Sequence, residues 1–212
     1  CLLIRLIHVE KPDQEAVPSR QFDISKIDFD LLSREFAHTR RKNLLLRDLD
    51  ELVNQQLAKM LFANPQRIDY YDRYQEIIDA YNAEQNRATI EKTFMDLMEL
   101  ASSLDTEQQR YVREGFSSDE ELSVYDLLFS ENLTKQEIET IKKVSVDLLT
   151  KIKQQIAKLD HWTDKQETKA IVDNLIRNTL WQELPNSYDV SDIQTYQKKI
   201  YEYVYMRYPE VA

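Results

Sequence analysis

Carboxylates are the commonest reactive groups in this 212-residue chain, with 38 Asp and Glu against 28 Lys and Arg. Two runs, Asp48-Leu49-Asp50-Glu51 and Asp119-Glu120-Glu121, bring acids close enough for general acid–base work. The second falls in the first turn of a predicted helix, where negative charge offsets the dipole, and the first reads as a polar face. Glu167-Thr168-Lys169 has the Glu-x-Lys spacing of a metal-dependent nuclease, and Gln197-Lys198-Lys199-Ile200-Tyr201 a Gln-x-x-x-Tyr pattern found in some of them. In such enzymes Glu and Lys project from one face of a strand, where residues two apart point the same way. Here both lie in a helical period and diverge around its axis, with no strand to hold the partner Asp. A solvated helix face with an ordinary ion pair is the simpler reading.

Other chemistries lack their residues. Gly115 is the only glycine, so neither a Walker loop nor a dinucleotide fingerprint can form. His8, His38 and His161 are far apart and lack zinc-ligand spacing. A cysteine nucleophile would rest on Cys1 alone, and Ser and Thr fall mainly where helix caps belong. No catalytic, cofactor-binding or metal site is expected in this stretch.

Basic clusters remain. They are Arg40-Arg41-Lys42, Lys142-Lys143 and Lys198-Lys199, with Lys135, Lys151, Lys153 and Lys158 along one predicted helix. The first is densest and is expected inside a long helix, which suits a phosphate contact or an acidic partner. Arg40, Arg41 and Lys42 are therefore the candidate DNA-binding residues, with Arg67 and Arg73 behind them. The net charge of −10 requires any such contact to be local or shared with other protein. Some of the 12 tyrosines must be exposed, and exposed Tyr beside Lys or Arg is common in protein interfaces.

The elements that would position these residues are helical throughout. Leu31, Leu32, Leu45, Leu49, Leu52, Val53, Leu57 and Leu61 recur mostly three or four apart from Asp28 to Phe62, and the run stops at Asn64-Pro65. Asp69 is expected to cap the next helix, with Tyr70, Tyr74, Ile77, Ile78 and Tyr81 on its apolar side. A helix holding Ile90, Phe94, Leu97, Met98 and Ala101 follows. Capping boxes then predict starts at Asp105, Ser118, Thr134 and Thr163, and Ser191 introduces a last helix with Ile193, Ile200, Val204, Tyr205 and Tyr208 inward. Gly115 is the expected left-handed residue after a helix end, and Pro185 follows another. The fold class is all-α, an irregular domain of about seven to eight helices.

The opening run Cys1 to Val9 is apolar but too short to span a membrane, and Arg5 interrupts it. It reads as a stub that packs on a preceding domain of a longer protein, with a linker from Glu10 to Ser25 carrying Pro12 and Pro18. The expected division is 1–21 for stub and linker and 22–212 for the helical domain. One cysteine cannot form an internal disulfide, so a cytoplasmic setting without membrane contact is expected.

The residues also carry a resemblance. Ile27-Asp28-Phe29-Asp30, Asp48-Leu49 and above all the run from Asn64-Pro65-Gln66-Arg67-Ile68-Asp69-Tyr70-Tyr71 to Ile77-Ile78 resemble the C-terminal domain of the motor subunit of type I restriction-modification enzymes. Thr89-Ile90-Glu91 with Phe94, Arg113-Glu114-Gly115, Tyr125-Asp126-Leu127-Leu128, Asp160-His161-Trp162, Ile176-Arg177, Leu184-Pro185 and Val204 to Pro209 extend the likeness over Phe22 to Pro209. None of these is a catalytic signature; order and extent carry the match. The resemblance implies a subunit that is an ATP-dependent DNA translocase and endonuclease, with nuclease and motor domains upstream and ATP and Mg bound there, not here. Implied partners are the methyltransferase and specificity subunits, the upstream motor domains and double-stranded DNA. The implied role is assembly with that core and a contribution to DNA binding; the rival is an internal brace that touches neither.

Overall fold

A run of apolar residues three and four apart buries best as a helix packed on another helix, and this rule organises the described residues. The computed structural model describes residues 28–209 apart from Gln85. Ile27, the apolar stub, the linker and the division expected at residue 22 lie outside the described residues. Among these residues are nine α-helices: α1 (Phe29–His38), α2 (Lys42–Ala63), α3 (Ile68–Ala83), α4 (Arg87–Gln108), α5 (Arg110–Arg113), α6 (Asp119–Leu128), α7 (Lys135–Ile156), α8 (Gln166–Glu183) and α9 (Val190–Arg207). A single 3-10 turn, Pro65–Arg67, lies between α2 and α3. The all-α expectation holds.

The first four helices share one core. Leu46, Leu49, Val53, Leu57 and Met60 of α2 and Tyr74 and Ile77 of α3 pack on α4, which buries Phe94, Leu97, Leu100, Ala101 and Leu104. Phe36 of α1 stacks on Phe94 with ring centroids 3.6 Å apart. The later helices share another. In sequence α6, α7, α8 and α9 pack each on the next, and α9 returns to α6. Their stripes are Leu122, Val124 and Leu128, then Ile141, Val144, Leu148 and Ile152, then Val172, Ile176 and Leu180, then Ile193, Ile200 and Val204. Trp162, in the α7–α8 connection, is 1% exposed and plugs the end of this ring. Its indole N–H donates to the Tyr208 carbonyl at 2.6 Å, fastening the last turn of the chain.

Several starts differ from expectation. The Asp28–Phe62 run is two helices: Thr39 is extended (φ −73°, ψ 146°) and its hydroxyl accepts from the Arg41 N–H at 3.1 Å. The break lets Phe36 reach Phe94. Asp69 does not cap α3; Asn64 instead caps the preceding 3-10 turn by accepting from the Gln66 N–H. Asp105 starts nothing, because the Leu97–Leu104 stripe continues and α4 runs on to Gln108. Thr163 is displaced by the Trp162 plug, so α8 begins after Lys165. Asp189 displaces Ser191, since its carboxylate accepts from the Ser191 and Asp192 N–H groups. Tyr205 faces out at 39% exposure and Tyr203 takes its inward place at 2%. Thr134 with Glu137 forms the full capping box, and Gly115 sits at φ +83° as expected.

Removing the plug tests this account. Trp162→Ala should lower stability by about 3–5 kcal/mol, the usual result of truncating a buried aromatic. Urea denaturation followed by circular dichroism measures it, and a change below about 1 kcal/mol would show that the ring closes without the indole.

Candidate functional site

Proline at the start of the 3-10 turn fixes φ there, and of the two residues that follow, Gln66 is exposed and Arg67 buried. Arg67 follows on the line of Tyr70, Tyr74 and Ile77, three, seven and ten residues on, which is the buried stripe of α3. A guanidinium thus enters the protein at a position that periodicity assigns to an apolar side chain. It is 4% exposed. Its Nε donates to Glu107 at 3.0 Å, and its two terminal nitrogens donate to Asp119 at 3.0 and 2.6 Å. Beside it Arg110 contacts Asp126 and lies 3.4 Å from Glu107. Asn64 completes the cluster by donating to Asp126 at 2.6 Å.

This cluster is the densest set of buried charge in the described residues, and its chemistry is internal. Burial works against the charged Arg67, yet Asp119 and Glu107 hold its proton more firmly still, and its pKa is raised. Burial lifts the Asp126 carboxyl above the ordinary carboxylate range, against the pull of Arg110 and Asn64. Glu107 and Asp119 both face guanidinium nitrogens.

The acidic runs resolve in the same way. Asp50 accepts from the Tyr74 hydroxyl at 2.7 Å, and burial helps push that phenol up to about 12. Asp119, Glu120 and Glu121 occupy the first turn of α6. Asp119 holds Arg67, Glu120 meets Lys153 and Arg207, and Glu121 accepts from the Ser117 N–H at 2.8 Å. Glu167 and Lys169 lie on α8, where two residues turn the chain by about 200°, and Lys169 sits over the Tyr205 ring instead. Among the described residues no group of three His, Cys, Asp or Glu converges as a metal site.

The candidate DNA-binding residues are not brought together. Arg67 is internal, and its carboxylate pairs correct the expectation of a phosphate contact there. Arg73, on α3, pairs with Glu99 at 2.7 Å. Lys42 donates to the Phe36 carbonyl at 3.2 Å, lies over that ring and meets Glu91 at 3.2 Å. Arg40 and Arg41 are exposed, at a helix break and not inside a long helix. The charge cluster itself escaped the sequence reading. Its one visible signal is an Arg on an apolar stripe two residues after Pro65.

Large apolar groups also reach solvent. On α8 Ile171 is 42% and Trp181 51% exposed, and Arg177 is exposed one turn before Trp181. No helix of the described residues is long and apolar enough to cross a membrane.

The family model for the C-terminal region of type I restriction enzyme HindI endonuclease subunit-like proteins matches residues 15–208. No curated protein and no solved structure matches the chain.

The position of Asp126 generates a pH prediction. A carboxyl whose folded pKa is raised binds its proton more tightly when folded. Its stabilising contribution is therefore complete below the unfolded value near ~4 and disappears as pH rises through the higher folded value. Asp126→Asn removes this dependence. The stability of wild type minus variant, from urea titrations across the acid range, should fall as pH rises. A flat or rising difference would show that Asp126 is not held out of water.

Proposed function

The chain belongs to the family of type I restriction enzyme HindI endonuclease subunit-like C-terminal domains, and from that premise we propose that it is a non-catalytic assembly module. It docks the motor subunit onto the methyltransferase and specificity subunits. The observation that carries this reading is the outward face of α8. A half-exposed Trp181 with Ile171 and Arg177 is unusual on a solvated helix, and Trp and Arg are the types that dominate interface hot spots. The buried charge cluster supports the same reading, because the acids that might have done chemistry hold helices together.

A DNA contribution rests on less. Of the five candidate residues, Arg40 and Arg41 keep their charge exposed and show no carboxylate partner within the described residues. They flank the α1–α2 break, where a groove or phosphate can approach two guanidinium groups at once. The acidic total favours a second reading, the internal brace, in which the domain packs on the upstream motor domains and touches neither core nor DNA.

The intact motor subunit separates these readings. Deleting the domain should prevent its joining the methyltransferase–specificity core on DNA, followed by gel shift with ATP hydrolysis in parallel. In the intact subunit Trp181→Ala should weaken that association by about 2 kcal/mol or more. Normal joining with poor translocation would instead establish the brace. Arg40→Glu with Arg41→Glu should reduce the slope of log affinity against log salt by roughly 0.9 per lost contact, and an unchanged slope removes the DNA contribution.

A further inference from the structure

The apolar side chains of the described residues form two separate cores, one over α1–α4 and one over α6–α9 with the Gln109–Ser117 segment. No buried apolar residue is common to both. The chain passes between them once, at Gln109, where α4 ends at φ −92° and ψ 2°. Side-chain hydrogen bonds and one cation–ring contact also cross. Arg67 bonds Asp119, Asn64 bonds Asp126, and the Ser123 hydroxyl lies 2.9 Å from the Ala63 carbonyl. The Arg207 guanidinium rests on the Phe62 ring, 4.8 Å from its centroid.

We infer that the domain is two helical modules hinged at Gln109 and held shut by the Arg67–Asp119 and Asn64–Asp126 bonds, a latch that can open without unfolding either module.

The ion pairs are distributed so that opening leaves charge compensated. Arg67 and Glu107 both belong to the first module, and Arg110 and Asp126 both belong to the second. Separation breaks the contacts to Asp119 and Asn64, and the Arg110–Glu107 pair spans only the hinge itself, so each guanidinium keeps a carboxylate of its own module. Asp119 is already 29% exposed at its side chain and lies in the first turn of α6, where the helix dipole favours its charge in water. A buried pair split across a junction ordinarily strands an uncompensated ion, which holds the junction closed. Here that penalty is reduced, because Arg67 keeps Glu107 and Asp119 already reaches water. Directional bonds across a polar seam also give two discrete states, whereas continuous apolar packing yields only by creating voids.

The test uses the full chain with Cys1→Ser and spin labels at Lys59→Cys and Lys143→Cys, exposed sites on α2 and α7. Pulsed electron–electron distance measurements should show a main distance and a minor longer one. Adding Asp119→Asn should enlarge the longer population by about tenfold, the effect of losing one charge-assisted hydrogen bond, with circular dichroism unchanged. A single distance distribution in both proteins overturns the latch, as does loss of helical signal in step with the longer distance. Hydrogen exchange on the unsubstituted chain gives an independent reading. Amides of Asn64–Arg67 and Asp119–Ser123 should exchange faster than those of both cores, and equal protection across the seam overturns the inference.

Discussion

The buried guanidinium of Arg67 is the constraint on which the arrangement depends. A charge removed from water must be compensated within hydrogen-bond distance, or several kcal/mol are lost. Glu107 at the end of α4 supplies one carboxylate from the same set of helices, and Asp119 at the start of α6 supplies a second, bidentate one from the other set. Apolar stripes alone would let the two sets of helices slide, since hydrophobic burial is non-directional. The bidentate Arg67–Asp119 contact sets their register.

Around that point the fold is economical. Each core closes on itself with side chains spaced for helices, and the connections carry local devices instead of glycine. Asn64 caps the 3-10 turn, Thr134 and Asp189 cap their helices, and Trp162 anchors the Tyr208 carbonyl. Gly115 is needed once, where φ is +83° between α5 and α6. The surface is left free for other duties, and α8 uses part of it to present Trp181.

Acids that look reactive in sequence are structural in space. Asp50 holds Tyr74, Glu107 and Asp119 hold Arg67, and Glu120 meets Lys153 and Arg207.

Sequence by itself determined the all-α class, the family and the apolar stripes, because helical periodicity and caps are local and survive without knowledge of the fold. The Thr134 box, the Asn64-Pro65 stop and the role of Gly115 were legible for that reason. The tertiary structure alone decided that Asp28–Phe62 is two helices, that Asp105 starts none and that Arg67 lies inside. Phe36 must turn away from α2 to reach Phe94, and Arg67 finds Asp119 only across a separation of 52 positions. Such outcomes depend on partners remote in sequence, and a charge's place inside or outside is set by whether its counter-charges arrive there with it.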